Sequence, residues 1–125
     1  MIIGGDHSIT YPILSAYNKF FPKINIVHFD AHPDLYENFK DNPFSHASPF
    51  ARIMENNLAK SLTQIGIRTM NDHQEQQATI YGVNVIPMNR FSTDIELKVV
   101  SILSDKSFFS ILIFCLLYTS DAADE

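Results

Sequence analysis

At 125 residues the chain has the length for one compact domain and not for two. Hydrophobic residues make up 46% and charged residues 18%, enough to build a buried core and unlike a disordered chain. Nine Lys and Arg against fourteen Asp and Glu leave a net charge of −5, a poor match to a phosphate backbone, and the single Cys115 excludes an internal disulfide and a multi-thiolate zinc site.

Met1 to His7 has no basic stretch, and its apolar run ends after three residues, so it does not read as a signal peptide. Thr10, Tyr11 and Pro12 lead into a helix carrying Ile13, Leu14 and Tyr17. Ile24 to Phe29 is a short β-branched run between Pro22 and the polar cluster from Asp30 onward, which predicts a buried strand. Ser48-Pro49 opens a helix in which Phe50, Ile53, Met54, Leu58 and Leu62 follow at three- and four-residue spacing. Gln64 to Arg68 reads as a second strand, Asp72 to Tyr81 as a polar helix ended by Gly82, and Val83 to Met88 as a third strand. Ser92 or Thr93 caps a further helix whose buried side is Ile95, Leu97, Val99, Val100, Ile102 and Leu103, and Phe108 to Phe114 is a fourth strand. The longest apolar run, Phe108 to Tyr118, is broken by Ser110 and falls short of the ~20 residues of a membrane span. A soluble, cytoplasmic protein is expected. The alternation of strands and helices predicts one α/β domain, or a piece of one, with a parallel sheet and a ligand site at the carboxyl ends of the strands.

Two segments carry chemistry. Asp30-Ala31-His32-Pro33-Asp34 directly follows the first strand, and an extended backbone there would point all three polar side chains to one side. Two carboxylates and an imidazole suit a hard or borderline divalent metal such as manganese, while an N-cap or turn is the ordinary alternative for such a segment. Gly4-Gly5-Asp6-His7-Ser8 allows a tight backbone path that brings His7 close to another loop. It has neither the Rossmann glycine spacing nor a Walker Gly-Lys-Ser/Thr, which excludes a nucleotide site of those types. His28, inside the strand, reads as a core histidine donating to backbone, and His73 as a surface residue.

Taken together and in this order, the two segments resemble the arginase/agmatinase (ureohydrolase) family. The resemblance continues through Tyr36, the Ser45-to-Glu55 stretch and Gln64-Ile65-Gly66-Ile67-Arg68, and it runs from Ile2 to Ser110 with decreasing specificity after Arg68. From His28 to Glu55 the chain is most similar to plant-type arginases, themselves similar to agmatinases. The resemblance implies a three-layer α/β/α fold with a mainly parallel sheet, incomplete in this chain. It also implies two manganese ions bridged by a hydroxide. Residue by residue, His7 and Asp34 match ligands of one ion, His32 matches a ligand of the other, and Asp30 matches the bridging and catalytic carboxylate. A guanidinium is resonance-stabilised and always protonated, so it is a poor electrophile. Bound metal lowers the pKa of water from ~15.7 to about 7, and two ions ~3.5–4 Å apart share the resulting nucleophile. Its attack on the guanidino carbon releases urea and an amine.

His46 matches the active-site loop histidine that transfers a proton or orients the guanidino group, although Ala47 stands where the family usually has Gly. Tyr36 falls where animal-type arginases carry an Asn that holds the substrate carboxylate, and is instead similar to agmatinases and plant-type arginases. The substrate is therefore L-arginine or agmatine, with the Ser45-to-Glu55 match favouring arginine.

The far end departs from the family. Further metal carboxylates come from a Ser-x-Asp-x-Asp-x-x-Asp-Pro strand, and in that register this chain has Leu112 and Phe114, which cannot bind metal. The segment Cys115 to Glu125 has no hydrophobic period and matches the translation of a transposon-based sequencing adapter. Residues 1–114 are thus expected to form a partial ureohydrolase domain and 115–125 a non-native tail, with Met1 not the natural start. Weak metal binding and no useful turnover are expected of the chain alone. The alternatives are a catalytically dead relative serving as a binding or assembly subunit, and a deacetylase-type amidohydrolase of similar fold, against which Gly4 to Ser8 and Asp34-Leu35-Tyr36 argue. By resemblance the intact parent is a homo-oligomer, trimer or hexamer, with a small guanidino substrate and no nucleic-acid or membrane partner. A mitochondrial location fits a plant-type parent.

Overall fold

A computed structural model describes residues 4–90 and 110–114. In chain order the elements are α1 (Thr10–Tyr17), β1 (Ile24–Phe29), α2 (Pro49–Glu55), β2 (Ala59–Ile67), α3 (Asp72–Tyr81), β3 (Asn84–Pro87) and β4 (Ser110–Phe114), with short 3₁₀ turns at His7–Ile9 and Met88–Arg90. The four strands form one sheet in the order β3-β2-β1-β4, every pair parallel. From β1 the chain steps outward through β2 to β3, while β4 lies on the other side of β1. The carboxyl end of β1 is therefore a topological switch point, where adjacent connections leave in opposite directions and open a crevice.

Alternation along β1 decides what each face meets. Ile24 and Ile26 are buried in the main core with Leu14 of α1, Phe50 and Ile53 of α2, Leu62 of β2 and Ala78 of α3. Val27 turns to the opposite face and packs with Ile65, Phe29 and Ile86. Burial on both faces is what a central parallel strand requires, and the β-branched run supplies it. The helix read from Ser92 onward lies outside the described residues.

The α1, β1 and α3 segments and the fourth strand fall where the sequence puts them, and α3 spans its expected range. Asn71 and Gln74 close a capping box at its start, and Gly82 at φ 64° ends it. The difference lies between α2 and β2. The helical spacing of Leu58 and Leu62 suggests a longer helix, yet α2 stops at Glu55 and β2 begins at Ala59. Asn57 adopts φ 54°, its N–H bonds Met54 O at 3.0 Å, and Leu58 N–H bonds Ile53 O at 2.9 Å. These two bonds form a Schellman motif with Asn in place of the usual Gly, so the helix is terminated by its own carbonyls. Leu62 then faces the core from a strand.

The Ile53 side chain is fully buried in that core, whereas Ile80 on α3 is 70% exposed. Ile53→Ala should lower stability by about 2–5 kcal/mol, and Ile80→Ala should stay within about 0.5 kcal/mol, measured by urea denaturation. Equal losses at the two sites would contradict this placement of the core.

Candidate metal centre

The loop after β1 does not continue extended. Asp34 takes φ 48°, a left-handed conformation that Asp tolerates better than most residues. Its side chains converge because the chain turns, so strict alternation is not what assembles them. Four tethers hold the turn. Asp30 N–H donates to Ile65 O of β2 at 3.1 Å, Arg68 N–H to Ala31 O at 2.8 Å, Phe50 N–H of α2 to Asp34 O at 3.2 Å, and Tyr36 N–H to Ala47 O at 3.1 Å. Gly66, at φ 89°, sits within β2 where the pairing with β3 slips, and a Cβ there would stand 3.4 Å from Asp30 O.

Asp6 accepts from the backbone N–H of Ser8 at 3.0 Å and from its hydroxyl, which holds the 3₁₀ turn bearing His7. His7 then reaches the β1 loop: its Nδ1 lies 3.6 Å from Asp34 Oδ2 and its Nε2 3.9 Å from Asp30 Oδ2. His28 Nε2 lies 3.2 Å from the same Asp30 oxygen. Ligand atoms of His7, His28, Asp30 and Asp34 all fall within 4.8 Å of one another. His32 stands outside that group, against the other Asp30 oxygen: its Nδ1 is 3.6 Å from Oδ1, and its backbone N–H donates to Oδ1 at 3.0 Å. One carboxylate thus turns its two oxygens toward imidazoles on two sides.

Burial dominates the electrostatics. It pushes Asp34 well above the ordinary carboxylate range, and the negative charge of Asp30 adds to the rise. Burial, and then the neighbouring His28, lower His7 to about 4, against the opposing pull of Asp30 and Asp6. His28 is likewise lowered by burial, opposed by Asp30. Two neutral imidazoles thus face two crowded carboxylates, a donor set of oxygen and nitrogen without sulfur. His7 Nδ1 is buried without a hydrogen-bond partner, and 3.6–3.9 Å is too long for hydrogen bonds. Atoms that share an ion at about 2.0–2.2 Å stand at such separations. The residues fit a divalent cation of the hard or borderline class.

Around this cluster, His46 is half-buried on the following loop, edge-on to the Phe39 ring at 5.5 Å. Tyr36 accepts a 2.6 Å hydrogen bond from the Asn71 side chain and stacks on His73. His73 is not a free surface residue: its Nε2 accepts from Glu37 N–H at 3.3 Å and so ties the Tyr36 segment to α3. His28 is buried as expected, but its partners are the side chains of Asp30 and Gln64, not backbone. Gln64 reads in the sequence only as the start of a strand, and His28 only as a core histidine. The signal was present, since alternation carries β1 through Ile24, Ile26 and His28 to Asp30 on one side. β4 ends beside this site, with Leu112 opposite Val27 and Phe114 opposite Phe29 in the backbone register. No helix among the described residues is long and apolar enough to cross a membrane.

Comparison with known proteins places the site in context. The family model described as "Arginase family" matches residues 1–107. The mitochondrial arginase of Medicago truncatula is 47% identical over 95 residues, covering 75% of this chain and 28% of that protein. The N(1)-aminopropylagmatine ureohydrolase of Thermus thermophilus is 38% identical over 88 residues, covering 70% of this chain and 29% of its own length. Among solved structures, the Medicago truncatula arginase superimposes with a TM-score of 0.70 over 75% of this chain and 30% of that one. Formimidoylglutamase from Bacillus subtilis, 24% identical, shares the fold at a TM-score of 0.77 over 91% of this chain and 38% of that one. The chain spans less than a third of the length of the curated relatives it matches.

In the metal-free chain His7 and Asp34 act in opposite directions. His7, lowered from 6.5 to about 4, contributes stability above pH 6.5 that is lost as pH falls toward 4. Asp34, raised above 3.8, contributes stability below that value that is lost as pH rises. Asp34→Asn keeps the left-handed backbone and removes the buried charge. It should stabilise the metal-free chain at pH 7 by on the order of 1–2 kcal/mol in urea denaturation, and abolish Mn(II) binding in calorimetry. A metal-free wild type that outlasts this variant at pH 7 would sink the electrostatic account.

Proposed function

Because the chain belongs to the arginase family, we propose that it is part of a manganese-dependent guanidino hydrolase, one that releases urea from L-arginine or agmatine. The observation that carries this reading is the partly buried His7–Asp30–Asp34 cluster at the switch point of the sheet, with His7 Nδ1 left without a hydrogen-bond partner. His7 and Asp34 would hold one manganese ion, His32 would hold a second, and Asp30 would bridge them through its two oxygens. When bound, the metal pair lowers the pKa of water and supplies a nucleophile at neutral pH. Asp30, anchored at the strand end by its N–H bond to Ile65 O, would serve both ions. Its place as a catalytic residue rests on that bridging. His46 sits on a half-buried loop where an imidazole would orient the guanidino group or hand a proton to the departing amine, leaving urea and the amine product. Tyr36 would line the substrate path, its hydroxyl held by Asn71. The higher identity to plant arginases than to the aminopropylagmatine ureohydrolase supports arginine over agmatine. The intact parent is proposed to be a homo-oligomer, and a mitochondrial address is supported by the name of the Medicago relative.

The register of β4 favours a second reading for the chain as it stands. Leu112 and Phe114 occupy the stretch that ends beside Asp30, and neither carries a ligand atom. The chain alone would then hold metal weakly and turn over no substrate, or serve as a binding or assembly subunit. The segment 115–125, proposed to be non-native, lies outside the described residues.

Calorimetry with Mn(II) should find weak binding near one ion per chain, and urea release from L-arginine or agmatine should stay at background. Leu112→Asp combined with Phe114→Asp should raise the stoichiometry toward two. Manganese-dependent urea release by the unaltered chain would overturn its proposed inactivity. Absence of Mn(II) binding in both forms would overturn the hydrolase reading.

A further inference from the structure

Four residues with ligand-type atoms crowd together, and proximity alone would make His28 a fourth metal ligand. The hydrogen-bond network around Gln64 points elsewhere. Gln64 and His28 face each other across β1 and β2, and both are fully buried. One terminal atom of the Gln64 amide lies 2.6 Å from Pro33 O. A backbone carbonyl only accepts, so that atom is the nitrogen; the reversed amide would set oxygen against oxygen at the same distance. The same nitrogen lies 3.2 Å from His28 Nδ1. An amide nitrogen only donates, so Nδ1 is the unprotonated nitrogen of a neutral ring. The ring hydrogen is then on Nε2, which faces Asp30 Oδ2 at 3.2 Å. A protonated Nε2 has no lone pair for a metal.

We infer that His28 is a positioning residue for the metal centre and not one of its ligands, with its tautomer set by Gln64. The inference rests on the metal-centre reading above. In this arrangement the Gln64 side chain ties both halves of the turn. Through His28 it orients Asp30, and through Pro33 O it fixes the carbonyl just before Asp34. The His28 donor occupies one acceptor position of Asp30 Oδ2, the same oxygen that lies 3.9 Å from His7 Nε2. Gln64 Oε1 has no hydrogen-bond partner among the described residues, so the amide is turned by its nitrogen contacts and not by any contact of its oxygen. Outer-shell partners of this kind orient the carboxylate that binds metal, and their loss typically weakens metal affinity by about 10–100-fold.

The test reads the tautomer directly. Nitrogen-15 histidine NMR on the full metal-free chain at pH 7.5 should show His28 protonated at Nε2 in a single tautomer, with the signal assigned by its loss in His28→Gln. Gln64→Glu replaces the donor with an acceptor and should move the proton to Nδ1. A His28 protonated at Nδ1 in the unaltered chain overturns the inference. Mn(II) affinity supplies the second readout. His28→Gln keeps a donor near the Nε2 position and should bind within about threefold of the unaltered chain, while His28→Phe should bind about 10–100-fold more weakly. Equal, large losses in the two variants would mean that His28 is a ligand after all. Should His28→Phe not fold, the tautomer and the His28→Gln affinity still decide. Should neither the unaltered chain nor its Leu112→Asp/Phe114→Asp form bind Mn(II), the functional reading falls, and the tautomer alone settles the orientation of His28.

Discussion

Two carboxylates, Asp30 and Asp34, are held in the interior beside two imidazoles that burial keeps neutral. Left to themselves these groups oppose one another: removing charge from water is unfavourable, and the negative charge of Asp30 makes ionising Asp34 harder still. The packed α/β layer around them has to supply what the site lacks in self-stability. It does so with Phe50, whose ring lies 5.6 Å from His7 and 4.3 Å from His28, and with the fully buried Leu35 in the turn. A cation would relieve the opposition that the apolar walls sharpen, since a charge is worth most where water is absent.

That arrangement depends on backbone tethers more than on side-chain contacts. The turn from Asp30 to Tyr36 is bonded to β2 at its start and to α2 and the 45–48 loop at its end, so it cannot reorient without breaking strand and helix connections. Gln64 adds a side-chain tether at Pro33, and Asn71 and His73 extend the same principle to Tyr36 and Glu37. A polar α3, weakly amphipathic and with only Gln74 and Ala78 buried, contributes its first turn to the site's surroundings as well as to the core. The acidic turn is accordingly held in place by groups that are not themselves proposed as ligands.

Much of this could be read from local pattern. The β-branched run at Ile24 to Phe29, the Asn71–Gly82 helix bounds and the order of strands and helices follow from side-chain period and cap chemistry, which act over a few residues. His7, Asp30 and Asp34 were legible as candidate ligands because the segments that carry them are distinctive, and the structure draws the three together. The end of α2 was not legible. Asn56-Asn57 gives a weaker stop signal than Gly, and Leu58 and Leu62 satisfy a helical spacing and a strand's inward face equally well. The pairing of His28 with Gln64 was not legible, for a different reason. They lie 36 residues apart, and their pairing exists only where β1 and β2 are in register.

Residue order thus settled the class of the fold, the strand that ends in the acidic turn, and which segments offer candidate ligand atoms, because propensity, periodicity and donor chemistry belong to each short segment alone. Assembly settled the rest. Which oxygen of Asp30 meets which imidazole, the left-handed turn at Asp34, the neutrality of His7 and the orientation of the Gln64 amide depend on distances between segments and on the exclusion of water. Those quantities come into being only when the sheet brings its strands side by side.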